Sequence, residues 1–229
     1  LLFLINSPTQ GTFPFILFRL SDWVPAIRQI AESGVRQLIL QQEPRFVIRH
    51  HKILDWLLKV QRADLKGIHL EVTEFIFSDK NIQKIIQNLE DYEEGDRYFI
   101  FRNIVTRNKL DNRILERILT DRNYLVRLLA VRNIDLIERP EILKRLLKDR
   151  SQKIRHYAIN KISESEIEQF QTELNDMLFD NSAAIRATSR ILLSKLNTQN
   201  YREKYLDKIE KNPTPGSIIG LSEVSDQGD

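Results

Sequence analysis

A short pattern recurs four times along this chain: Leu-x-Asp, then Ile or Val five residues after the aspartate, then Arg at the sixth. The copies are Leu20-Asp22-Ile27-Arg28, Leu119-Asp121-Val126-Arg127, Leu147-Asp149-Ile154-Arg155 and Leu178-Asp180-Ile185-Arg186. A motif repeated at intervals of about 30 residues predicts a stack of paired helices, each burying its apolar face on its neighbours. Such stacks offer broad rigid surfaces and few deep pockets, which points to binding rather than to catalysis.

The spacing has a physical reading. An aspartate in the turn can accept amide hydrogens that open the following helix, and its charge suits that helix's positive end. The apolar residue five positions on and the small residue four beyond it, as in Val126 and Ala130 or Ile154 and Ala158, share one helical face. Ile27 and Ala31 repeat this, while the fourth copy has Ser189. Two weaker copies are read at Asp96 with Phe101-Arg102 and at Glu43-Pro44 with Ile48-Arg49, and His69 to Phe77 leaves room for a degenerate unit. First helices are expected over 13–19, 35–42, 81–89, 111–119, 140–147 and 166–178, with Gly34 stopping one second helix.

With 229 residues, 41% of them hydrophobic, the chain can bury a substantial core, and 29% charged residues with only seven glycines suit solvated helices. The fold class expected is all-α. No cysteine is present, which excludes disulfides, thiolate metal sites and a cysteine nucleophile, and which favours a cytoplasmic setting. The apolar opening Leu1 to Ile5 is interrupted at Asn6 to Gly11, short of the roughly 20 residues a membrane-spanning helix needs. It is expected to join the first helix or form a buried arm, and no membrane partner is expected. Residues 1–212 are expected to form a single domain ending in a capping helix, Tyr201 to Lys211. Residues 213–229, opening with Asn212-Pro213-Thr214-Pro215-Gly216, are expected to be a flexible tail.

Leucine, turn aspartate, Val/Ile-Arg and a small residue together resemble HEAT repeats of a short, bacterial type, over about Phe13 to Leu196. The units are nearer 30 residues than the longer eukaryotic repeats and lack the Ala-Leu-Gly ending of the phycobilin-lyase type. The resemblance implies an α-solenoid, a right-handed superhelix of about six or seven helix pairs whose second helices line a concave face.

Charge divides unevenly between the expected helix layers. The second-helix segments 23–33, 45–58, 97–110, 122–133, 150–163 and 181–197 carry 18 Lys or Arg against Glu32 and Asp55, while the remainder carries 17 basic against 30 acidic residues. With the turn acids restored the layer still holds 18 against 8. The signature arginines Arg28, Arg49, Arg102, Arg127, Arg155 and Arg186 are expected to pair with turn acids of their own or a neighbouring unit, as a ladder along the stack. Among the other cations, Arg122, Arg132, Arg150, Lys153 and Arg190 are the candidate partner-binding set, on a basic face for an acidic protein or a nucleic-acid backbone.

Other signals point away from chemistry. Adjacent His50 and His51 lie about 100° apart on a helix and do not make a same-face metal pair. No phosphate loop, dinucleotide fingerprint or nucleophile elbow is present. The pairs Asp22-Trp23 and Asp55-Trp56 echo the aromatic residues and aspartate of HEAT-like DNA glycosylases, but both tryptophans are expected to pack and neither takes a catalytic role. Asp91, Glu93, Glu94 and Asp96 read as a solvated acidic turn. The function expected is a non-enzymatic interaction scaffold without cofactor or metal, binding a macromolecular, acidic partner. Nucleic-acid binding related to those glycosylases is the alternative, followed by an immunity or adaptor role.

Overall fold

The structure, a computed structural model, describes residues 1–9, 11–134, 139–196 and 200–225. It is all-α as expected, 73% helical, with 16 α-helices and no strand among the described residues. Two compact units form, residues 1–126 and 127–229. The first holds α1 (Leu2–Asn6), α2 (Thr12–Arg19), α3 (Pro25–Ile39), α4 (Pro44–Ile48), α5 (His51–Leu57), α6 (Lys66–Ile76), α7 (Asp79–Gln87), α8 (Glu94–Thr106) and α9 (Asn112–Thr120). The division falls inside α10 (Tyr124–Asn133). The second unit continues with α11 (Pro140–Leu147), α12 (Gln152–Ile159), α13 (Gln171–Met177), α14 (Ala183–Ser194), α15 (Tyr201–Lys211) and α16 (Pro215–Ser225).

Of the expected inward residues Ile27 is only half-buried, and the others are inward. Val126, Ile154 and Ile185, with Ala31, Ala130, Ala158 and Ser189, have no exposed surface. Ser189, standing where other copies have alanine, keeps its hydroxyl satisfied in the core by donating to the Leu174 carbonyl. The turn aspartates bond not the opening amides of each helix, as expected, but the amide of the residue just before it. The carboxylates of Asp121, Asp149 and Asp180 accept from the backbone N–H of Asn123, Ser151 and Ser182 at 2.7, 2.7 and 2.8 Å. These are Asx turns, which fix the bend between helices before the second helix begins.

The signature arginines then connect one turn to the next. Arg155 Nη1 donates to its own turn's Asp149 carbonyl at 2.8 Å, while Nε and Nη2 grip the following turn's Asp180 at 2.6 and 2.9 Å. Arg127 holds Asp149 in the same two-pronged way at 2.7 and 2.8 Å. Arg28 keeps only the local half, donating to the Asp22 carbonyl at 2.8 Å. Arg102 is not in the ladder: it bonds Asp55 at 2.6 Å. Its place is taken by Arg97, which holds Asp121 at 2.8 and 3.3 Å and the Tyr92 carbonyl at 2.9 Å. The weak copy is therefore Leu89-Asp91-Arg97, shifted five residues from the Asp96 register. Its spacing pattern is intact except that Asp96 stands at the Val/Ile position. Asp91 in turn receives Arg45 at 3.1 Å.

Two further expectations fail for packing reasons. Gly34 does not stop a helix; it sits inside α3, where a Cβ would stand 2.6 Å from Ile5 Cδ1 of α1. The tail expectation fails for residues 215–225, which form α16 packed on α15; residues 226–229 lie outside the described residues. A Cβ on Gly216 would stand 2.0 Å from the Phe179 carbonyl oxygen, and one on Gly220 would stand 2.3 Å from the Tyr205 ring. These two glycines let α16 approach the chain at van der Waals distance. Glu223 then reaches the fully buried Arg186 and also accepts from Arg190 at 3.0 Å. Arg186 Nη1 donates to the Asp180 carbonyl at 2.6 Å, so α16 supplies the carboxylate that a following turn supplies to Arg155.

Among the described residues one buried side-chain polar atom lacks a partner. His69 Nε2 is buried without a hydrogen-bond partner, and burial holds the imidazole below its ordinary value of 6.5, with Arg107 and Arg102 adding to the effect against Asp55. The unfolded chain therefore takes the proton first. The stability contributed by neutral His69 is complete above pH 6.5 and is lost as pH falls below that value. His69→Leu is expected to be more stable than the parent at pH 5.5 by about 1 kcal/mol, the low end of the cost of a buried unpaired polar atom. Urea melts at pH 5.5 and 7.5 check this: a gap that does not widen on acidification is the contrary result.

Candidate functional site

In the second unit, α12 buries Ile154, Ala158 and Ile159 and so turns Lys153, His156 and Tyr157 outward. Leu128 and Arg132, one helical turn apart on α10, meet that face. Gln152 Nε2 donates to Ser182 Oγ at 3.0 Å, tying the start of α12 to the start of α14. The result is an open cleft of about 360 Å³ with Leu128 and Ala184 as its apolar part and Arg132, Lys153, His156 and Tyr157 as its polar part. Among the described residues no carboxylate lines it.

Tyr157 is the centre of the cluster. The Arg132 guanidinium carbon lies 5.6 Å from the ring centroid and Lys161 Nζ lies 5.8 Å from it. A cation over an aromatic face is worth about 0.5–1 kcal/mol at an exposed site, which biases these long side chains toward the ring without fixing them there. An aromatic face held between cations can take a partner's planar group and its negative charge together.

Of the candidate set, Arg132 and Lys153 are brought together here. Arg150 is exposed in the turn before α12, away from this lining, and Arg122 lies in the first unit beside a different cleft. Arg190 is committed internally: it donates to Tyr205 Oη at 2.9 Å and to Glu223 at 3.0 Å, and these partners hold its pKa above the ordinary value against burial. Other cations of the same layer are also neutralised, Arg45 by Asp91, Lys109 by Asp79 and Lys195 by Glu164. Tyr157 is the residue that sequence reasoning missed. Lys153, Tyr157 and Lys161 follow one another at four-residue intervals, and that stripe is the signal that marks it.

The tryptophans divide. Trp56 packs as expected, stacked on Phe18 with ring centroids 5.1 Å apart and planes 7° apart. Trp23 does not: it is 78% exposed and meets the Arg62 guanidinium at 4.2 Å. Neither neighbouring aspartate is an idle base. Asp22 accepts from Val24 N–H and from Arg19, which hold its carboxyl below the ordinary range, and Asp55 is bonded to Arg102. His50 and His51 turn their Nδ1 atoms to the Phe46 carbonyl and to the Ile48 carbonyl with Asp96, at 2.8 and 3.1 Å. Among the described residues no group of three or more His, Asp or Glu side chains is placed to hold a metal ion, and no helix is long and apolar enough to cross a membrane. Comparison with protein-family models and with curated proteins finds no match to this chain.

Proposed function

We propose that this chain is a HEAT-like α-solenoid, a non-enzymatic scaffold that binds an acidic protein segment through the second-helix layer, with Arg132, Lys153, His156, Tyr157 and Lys161 as the contact centre. The solenoid assignment rests on the arginine–aspartate pairs Arg97–Asp121, Arg127–Asp149 and Arg155–Asp180, which recur with the repeat. The binding assignment rests on one observation: the Tyr157 cleft gathers cations and an aromatic ring with no acid among the described residues of its lining. An extended acidic segment suits it, carboxylates pairing with the cations and an apolar side chain resting on Leu128 and Ala184. A cytoplasmic setting, without cofactor, belongs to the same proposal.

Fluorescence anisotropy with a labelled glutamate-rich peptide at low salt tests it. Arg132→Ala with Lys153→Ala is expected to weaken binding at least about tenfold, roughly 0.7 kcal/mol for each charge removed. Absence of peptide binding, or binding unaffected by the double substitution, rejects the proposal. The nucleic-acid alternative draws on the same ring, since bases stack on an aromatic face between cations. Its signature is an affinity for single-stranded DNA or RNA that falls steeply with salt as counterions are released, and that exceeds the affinity for the peptide.

A further inference from the structure

Residues 1–18 contain no Asp, Glu, Lys, Arg or His, in a chain of which 29% is charged. Within them, α1 and α2 leave large apolar side chains in solvent: Phe3 is 77% exposed, Leu2 61% and Phe15 41%. We propose that this face is where two copies of the chain meet, as a weak dimer with two-fold symmetry.

α1 is a ridge fixed on α3. Its Ile5 is buried at the point where Gly34 has no side chain, since a Cβ there would stand 2.6 Å from Ile5 Cδ1. Pinning Ile5 leaves Leu2 and Phe3 on the outer side of the ridge. A groove of about 510 Å³ lies between the ridge and α2, with Ile27 and Ile30 of α3 in its wall, and another of about 350 Å³ lies between the ridge and α3. Among the described residues only one ionisable side chain lines either groove, Arg19. It is already engaged, with Asp22 at 2.9 Å and with the Phe15 ring, whose centroid is 5.0 Å away.

Charge and shape together select the occupant. A strongly charged partner finds no unpaired charge to recognise in these grooves, and an anionic lipid surface needs cations that their linings do not offer. A second copy brings the same uncharged grooves and meets no like charge. It also brings the matching shape, because ridge and grooves belong to one surface. About a two-fold axis each copy's Phe3 enters the other's larger groove, giving two equal insertions. An apolar cavity of about 150 Å³ holds benzene, so this groove takes a phenyl ring. Area sets the strength. Leu2, Phe3 and Phe15 together expose roughly 350 Å², and with the groove walls the contact covers about 1,000 Å² over both copies, the low end for a specific interface. A dissociation constant of roughly 10–100 µM is expected for an interface of that size, carried mostly by the inserted rings. The dimer does not depend on the acidic-segment binding assigned to the second unit.

Sedimentation velocity of the full chain from about 2 to 200 µM tests this, and should show a sedimentation coefficient that rises with concentration toward the dimer value. Phe3→Glu, at an exposed position, should weaken the dimer about tenfold or more with the melting temperature of the dilute chain unchanged. If that variant melts lower, Leu2→Gln takes its place, with an expected weakening of about threefold or more. In a mixture of isotope-labelled and unlabelled chains, intermolecular NOEs should join the Phe3 ring to the methyl groups of Ile27 and Ile30. A chain that stays monomeric at the highest concentration overturns the proposal, as does a dimer that the substitution leaves unchanged or whose NOEs arise from another face. Vesicles of phosphatidylcholine and phosphatidylserine are the parallel arm: a monomeric chain that binds them through Phe3 also overturns it, and assigns the face to a lipid surface.

Discussion

Truncation after Asn212 is expected to destabilise the second unit by about 3–5 kcal/mol, the cost of leaving a buried charge without its partner. Arg186 is only 1% exposed and its bidentate partner, Glu223, lies on α16. Loss of that helix also uncovers Tyr205 and removes the carboxylate shared with Arg190. Chemical denaturation monitored by circular dichroism measures the change. Glu223→Gln separates the charge from the packing: it keeps the helix and should account for most of the loss if the ion pair dominates. Gly220→Ala should destabilise through contact with the Tyr205 ring, with the ion pair left in place. Truncation without a fall in stability would mean that α16 is not docked in solution.

Asp149→Ala carries the second large effect, again about 3–5 kcal/mol. A turn cap alone is worth about 1 kcal/mol. Asp149 does more, because its carboxylate is also the bidentate acceptor for Arg127, whose side chain is 4% exposed. The substitution removes the carboxylate that compensates this buried guanidinium. Adding Arg127→Met should therefore recover much of the loss, since replacing both members of a buried pair costs far less than removing one. Urea denaturation of the two single variants and the double variant measures the coupling. Additive losses would show that the two side chains act independently.

The sequence by itself determined the helical class, the inward residues and the rungs in the second unit. Each follows from a period: the apolar and small residues share a face at four-residue spacing, and Asp and Arg recur at a fixed offset. The same logic lost register where one position departed. With Asp96 standing where Val or Ile was expected, the true copy, Leu89-Asp91-Arg97, was passed over for one five residues later, although its leucine, aspartate and arginine keep their spacing. Even the Tyr157 cleft was half legible, as a cation stripe, while the neutralisation of Arg190 was not, because Glu223 lies 33 residues away on a helix with no apolar period.

What only the tertiary structure decided is the fate of residues with weak local preferences. Gly34, Gly216 and Gly220 are poor helix formers, and each lies in a helix because another part of the chain comes closer than any Cβ would permit. Trp23 is the converse case: a large apolar ring in a turn is expected to bury itself, but its neighbours leave it in solvent against Arg62. Periodicity records which residues share a face. It does not record which distant backbone approaches that face, or which carboxylate reaches which cation, because those depend on contacts between segments far apart in sequence.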